Sequence, residues 1–256
     1  MELLTQALRG AQGPPRPAVA HGVPVHASLL LAGAGRTLGS ALLAEALVAG
    51  QFQRVLALVT APLASAVRGL EPLTQAALPG RLADRAGRAP VAVIVFERRR
   101  HSNGRDDAFV QPDVAEMLPL AQLLHAAGVR QLLVVVPHAP ALLPQALAQG
   151  LATLDEAAVA LLGFDQLVFV RAAQALPGVA RGTRLQRFAA WWLSQLSWMV
   201  PQRQQPLRAA ALAQCAVQLA QQMPAWPAGT HVIAPETLWQ WTQQPQRMAG
   251  LPAGLQ

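Results

Sequence analysis

The chain has 256 residues and a mass of 27.1 kDa, with 53% hydrophobic and 13% charged residues and a formal net charge of +7. That is enough chain to bury one sizeable core, and the mixed composition excludes a disordered or fibrous protein. All 20 basic residues are Arg, and they are scattered except at Arg98, Arg99 and Arg100, so neither a basic face nor a nucleic-acid partner is expected. Cys215 is the single cysteine, which excludes a disulfide framework and a thiolate metal cluster. The six His residues show no metal-ligand spacing, and no metal is expected. With no basic segment leading into a long apolar run, and no apolar run long enough for a bilayer, the expectation is a cytoplasmic protein with no membrane partner.

Residues 1–27, rich in Pro, Gly and Ala, read as an N-terminal arm or short capping helix. From Ser28 apolar runs alternate with amphipathic stretches. Strands are expected at Leu29–Ala32, Val55–Thr60, Val91–Phe96, Gln131–Val136 and Leu167–Arg171, with helices over Thr37–Ala49, Asp113–Ala127 (ended by Gly128) and Pro144–Leu162. The stretch from Thr60 to Pro90 reads as irregular. Strands that are apolar throughout are buried on both faces, which predicts a parallel sheet covered by helices. Beyond Pro177 come two helices, roughly Thr183–Met199 and Pro206–Gln222, a short strand at Thr230–Ala234 and a last helix from Pro235. The expected architecture is therefore α/β: a Rossmann-type doubly wound parallel sheet over 28–176, with a small, mainly helical C-terminal subdomain over 177–256 on the substrate side of the same globular unit.

Leu29-Leu30-Leu31-Ala32-Gly33-Ala34-Gly35-Arg36-Thr37-Leu38-Gly39 places glycines where a strand turns sharply into a helix. Gly33 permits the tight turn, Gly35 lets backbone approach a pyrophosphate, and Gly39 lets the helix pack closely on the sheet. The usual spacings are each two-thirds met: in GxGxxG the third glycine falls at Leu38, and in GxxGxxG the middle one falls at Arg36. Gly33, Gly35, Arg36, Thr37, Leu38 and Gly39 are the candidate cofactor-binding residues, with NADP or NAD as the cofactor. Arg36 either clamps a phosphate or fills the groove a dinucleotide should occupy. No acid or Arg stands at Thr60-Ala61-Pro62-Leu63, where a ribose-recognising residue is usual. Arg68 is the nearest alternative, and its plain reading is a solvated surface residue.

With those elements placed, the chain from about Ser28 to Trp241 resembles the atypical short-chain dehydrogenase/reductase family, in its NmrA-like and Tat-interacting-protein-like branch. The similar features are the turn through Gly33, Gly35 and Gly39, then Ala49-Gly50-Gln51-Phe52, Ala126-Ala127-Gly128-Val129-Arg130-Gln131, and Gly163-Phe164-Asp165-Gln166-Leu167-Val168-Phe169-Val170-Arg171. The resemblance implies a Rossmann-type sheet, NAD(P) binding, and catalysis by a Ser, a Tyr and a Lys in a YxxxK pattern. This chain has no Tyr and no Lys at all. Aligning on Gly150 puts Gln145 at the Tyr position and Gln149 at the Lys position, and a neutral amide has no proton to donate near neutral pH. The strand that normally delivers the Ser runs into Pro137-His138-Ala139-Pro140 instead.

Other groups carry chemistry only by position. The stretch from Glu97 through Arg98, Arg99, Arg100 and His101 to Asp107 follows a central strand, where it either binds an anion and offers Glu97 and His101 as an acid/base pair, or is a solvated loop. His138 follows another strand near the family's Ser position and is the candidate replacement catalytic residue. All six tryptophans lie in the C-terminal part, where Phe188, Trp191, Trp192 and Leu196 share a helix face. Core packing is the first reading, and a contact for a protein partner or a homodimer the sharper one. The sequence thus leads to an NAD(P)-binding Rossmann protein of degenerate catalysis, serving as a nucleotide-binding sensor or interaction subunit. The alternative is an NAD(P)-dependent oxidoreductase that uses His138 or the 98–101 loop.

Overall fold

The computed structural model describes residues 26–83, 90–97, 106–138, 153–173 and 208–243. Seven strands form one sheet: β1 (His26–Ala32), β2 (Phe52–Val59), β3 (Leu70–Thr74), β4 (Val91–Val95), β5 (Gln131–His138), β6 (Gln166–Ala173) and β7 (Gly229–Ile233). Their order is β3-β2-β1-β4-β5-β6-β7, and every pair is parallel. The chain moves outward from β1 to β3, then crosses back to lay β4 on the other side of β1. This is a Rossmann-type doubly wound sheet, and its strand order reverses between β1 and β4.

The strands are apolar on both faces because both faces are covered. Leu29 and Leu31 belong to one core with α1 (Thr37–Val48), whereas Leu30 and Ala32 belong to the other. The first core also takes in α5 (Ala209–Gln222) and α6 (Pro235–Gln243); the second takes in α2 (Leu78–Ala83), α3 (Met117–Ala126) and α4 (Leu154–Ala160). The period-2 alternation along β1 therefore sorts residues between two dry layers, as buried parallel strands require. From 208 to 243 the chain supplies α5 and α6 to one face of the sheet and β7 to its edge. Cys215 lies 4% exposed on the buried side of α5.

Several boundaries differ from the sequence expectation. The stretch read as irregular contains β3, Leu70-Glu71-Pro72-Leu73-Thr74, on the sheet edge, where a proline without an N–H is tolerated. The single helix expected over Pro144–Leu162 is not continuous. Thr153 is extended (φ −130°, ψ 159°) and its hydroxyl accepts the Glu156 N–H at 3.1 Å, so α4 begins at Leu154, and residues 139–152 lie outside the described residues. Likewise α5 starts at Ala209 rather than Pro206, because Arg208 is extended. The strand expected to stop at Val136 continues through Pro137 to His138. By then β5 has outrun β4, whose last pair is Val95 with Val135, so β6 alone flanks Pro137. The α3 region matches its reading: Asp113 and Glu116 form a reciprocal capping box, and Gly128 closes the helix at φ +96°.

The arm through residue 25, the 98–101 loop, Gln145, Gln149 and the helix expected over Thr183–Met199 lie outside the described residues. Among the described residues no helix is long and apolar enough to cross a membrane.

Candidate functional site

In open α/β sheets ligands bind at the carboxyl ends of the strands where strand order reverses. Here β1 ends in the glycine turn and β4 ends at Phe96 and Glu97, so those two segments face each other across that crevice. Gly33 turns the chain at φ +96°, and a Cβ there would press on the backbone oxygen of Val95 in the neighbouring strand. A Cβ at Gly39 would fall on the carbonyl of Gly33. The two glycines therefore lock turn, helix and β4 together, as the sequence expects of the tight-turn and close-packing positions. Gly35 is buried and Thr37 exposed.

The N-cap of α1 is Arg36, whose side chain makes no capping bond, and the first turn carries no acid. The N–H groups that a cap would satisfy, on Leu38 and Gly39, instead donate to one oxygen of Glu97, at 3.0 and 3.2 Å. Glu97 is 59 residues from Leu38 in sequence, so this cap is built by tertiary structure. A carboxylate there suits the positive end of the helix dipole. The Arg36 side chain crosses the crevice and donates to the Glu97 carbonyl at 2.5 Å and to Gln111 Oε1 at 2.9 Å. The Arg36 side chain thus lies along the groove, bonded to groups of the chain itself. Gly33, Arg36, Val95, Glu97, Gln111 and Pro112 line a crevice that leaves no room for a water molecule, whereas ligand pockets typically measure ~300–1,000 Å³.

The same connection also covers the end of β2. Phe109 forms an antiparallel bridge with Val59, Thr60 N–H donates to Ala108 O at 3.0 Å, and Val110 N–H donates to Leu58 O at 3.0 Å. The Thr60 hydroxyl donates to Asp107 O at 3.0 Å. Between this segment, the ends of β2 and β3 and the start of α3 opens a cleft of about 680 Å³. Thr60, Thr74, Gln75, Gln111 and Glu116 line it beside apolar residues, with no cation among them. Arg68, the alternative ribose contact, stands just before β3, at the amino ends of parallel strands and therefore at the wrong edge of the sheet.

A nicotinamide dinucleotide, the group this fold brings to mind, needs donors for its pyrophosphate. The donors present fit an anion: two helix N–H groups and a guanidinium surround the crevice, and a carboxylate already stands where phosphate oxygens would go. His138 lies at the carboxyl end of β5, paired with Ala173, with β4 between it and the glycine turn.

Arg171 points from β6 towards α4, where it pairs with Glu156 at 3.0 Å; the side chains are 2% and 3% exposed. Of the described tryptophans, Trp226 and Trp241 are buried in the core and Trp239 is half-buried; Phe188, Trp191, Trp192 and Leu196 lie outside the described residues.

No family model matches the chain, and no curated protein matches it significantly. Similar solved structures include the enzyme WbmG of Bordetella bronchiseptica in complex with NAD, at 16% identity over 93% of this chain and 80% of that one, with a TM-score of 0.46. An oxidoreductase of the short chain dehydrogenase/reductase family from Burkholderia thailandensis shows 16% identity, coverage of 87% and 98%, and a TM-score of 0.46. A short chain dehydrogenase family protein from Francisella tularensis gives 11%, 83% and 98%, and 0.44. Likeness this distant assigns no role to any residue.

Proposed function

We propose that the chain is a Rossmann protein of the short-chain dehydrogenase/reductase kind that binds a nicotinamide dinucleotide without turning it over, and so acts as a nucleotide-responsive binding or interaction subunit. The observation that carries this reading is the anion seat at the strand-order reversal, formed by the Leu38 and Gly39 N–H groups beside Arg36, in a chain with no Tyr and no Lys. Gly33 and Gly39 fix the turn against the sheet, the two N–H groups hold phosphate oxygens, and Arg36 supplies the neutralising charge. The neighbouring cleft, with hydroxyl and amide groups, the Glu116 carboxylate and no cation, suits the uncharged, hydrogen-bonding parts of the ligand.

The bound cofactor would supply hydride transfer, as its chemistry always does. The residue pair that relays the proton in the resembled family has no counterpart in the chain, so binding and orientation are what its own residues provide.

Titration of the purified protein with NADH and NADPH tests the reading. Binding raises the melting temperature in step with the logarithm of ligand concentration, while no NAD(P)H is consumed over a panel of carbonyl substrates. No stabilisation at millimolar cofactor would overturn it. Steady turnover abolished by His138→Ala would overturn it in favour of an oxidoreductase with His138 as its proton-transfer group.

A further inference from the structure

We infer that Glu97 is a built-in competitor for the dinucleotide phosphate, so that nucleotide binding must expel its carboxylate and, with it, release Arg36 from Gln111 and loosen the segment from Asp106 to Pro112 at the end of β2. The inference rests on the nucleotide-binding reading above and adds to it a mechanism by which occupancy becomes visible at the surface.

One oxygen of Glu97 takes both N–H groups offered by the first turn of α1. A phosphate aimed at this turn needs the same two donors, and two anions cannot share them, because like charges at such separations repel strongly. Binding is therefore an exchange of one anion for another. Glu97 is only half-buried and is held by hydrogen bonds to backbone groups, so its release into water regains hydration in exchange for those bonds.

The exchange cannot stay local. Arg36 is bonded at once to the Glu97 carbonyl and to Gln111, so it straps the two ends of the β4–α3 connection over the turn. Between those ends, Asp107, Ala108 and Val110 hydrogen-bond to Leu58 and Thr60 at the end of β2. Turning Arg36 onto a phosphate breaks the strap at both ends. The segment from Asp106 to Pro112 then loses its bond to Arg36, and a surface next to the 680 Å³ cleft changes. The apparent affinity of the intact protein is its intrinsic affinity multiplied by the fraction of molecules in which the seat is open.

The test is a binding titration of the full chain, its Glu97→Gln variant and its Glu97→Ala variant with NADPH, NADH and inorganic pyrophosphate, read by calorimetry. Amide hydrogen exchange at Thr60 and Val110 provides a second readout. Glu97→Gln keeps the shape and an acceptor but removes the charge. Both variants are expected to bind dinucleotide and pyrophosphate about tenfold more tightly than the intact chain, in line with a carboxylate's attraction to a helix N-terminus. Dinucleotide should also speed exchange at Thr60 and Val110. Binding by the variants alone would uphold the competitor and overturn nucleotide binding by the intact protein. Equal affinities in all three would overturn the competitor and leave nucleotide binding standing. No binding by any folded sample would overturn both. Unfolding of both variants at 25 °C would show Glu97 to be a fixed structural cap, and that too overturns the inference.

Discussion

Glu156 and Glu97, two of the carboxylates at helix N-termini, differ in what surrounds them. Glu156, in the first turn of α4, is 3% exposed and locked to Arg171, itself 2% exposed. Glu97 reaches the first turn of α1 from the end of β4, stays half-buried, and is held by backbone N–H groups while Arg36 bonds to its carbonyl. Removing water from both charges makes the first pair indispensable to its partners. Leaving one charge at the edge of a crevice makes the second exchangeable. Burial, more than the hydrogen-bond count, separates a fixture from a ligand-like group.

The largest expected effect lies at the fixture. Arg171→Met leaves Glu156 buried without its cation and should cost about 3–5 kcal/mol, whereas adding Glu156→Gln should restore much of that loss. Urea denaturation of the three proteins measures both, and a single-mutant cost below about 1 kcal/mol would erase the contrast with Glu97. Gly39→Ala comes next. Its Cβ would meet the Gly33 carbonyl, so α1 must shift away from the turn, at a cost of about 1–3 kcal/mol and with loss of the anion seat. An Ala variant as stable as the parent would show that the turn is not close-packed.

Cys215 extends the same rule to a thiol. Burial pushes its pKa from 9.0 up to about 11. A folded-state pKa above the unfolded one gives stability that is complete below pH 9 and is lost as pH rises towards 11. Stability of the parent should therefore decline across that window, and Cys215→Ala should flatten the decline; identical pH profiles would rule the thiol out as its source. The smallest effects concern caps. Thr153→Ala should cost about 1 kcal/mol. Glu97→Gln should cost only about 0.3–1 kcal/mol, since its carboxylate is half in water. A loss as large as that of Arg171→Met would make Glu97 a fixture too.

The sheet was legible in the sequence because buried parallel strands declare themselves as continuous apolar runs. The edge strand β3 did not, since Leu73 is the only one of its five residues that is buried, and Pro72 reads as a breaker. The break before α4 escaped because apolar periodicity runs on from Pro144 past Thr153, whose capping role depends on its extended backbone. Of the candidate site, the glycine turn was visible as a local pattern. Its partner was not: Glu97 read as an acid/base companion for His101, and contact across 59 residues leaves no local trace. Two signals did point that way. The helix opens on Arg36 with no capping residue, and the central strand β4 ends beside an acid, on the far side of the reversal in strand order.

The most direct test of an exchangeable anion seat is to follow the backbone amides of Leu38 and Gly39 by NMR while NADPH, and separately inorganic pyrophosphate, is added. Saturable shifts at both amides, together with displacement of the Glu97 side-chain resonances, are the expected result. Amides of Leu38 and Gly39 that stay unmoved while ligand saturates elsewhere, or at millimolar ligand with no binding at all, would contradict it.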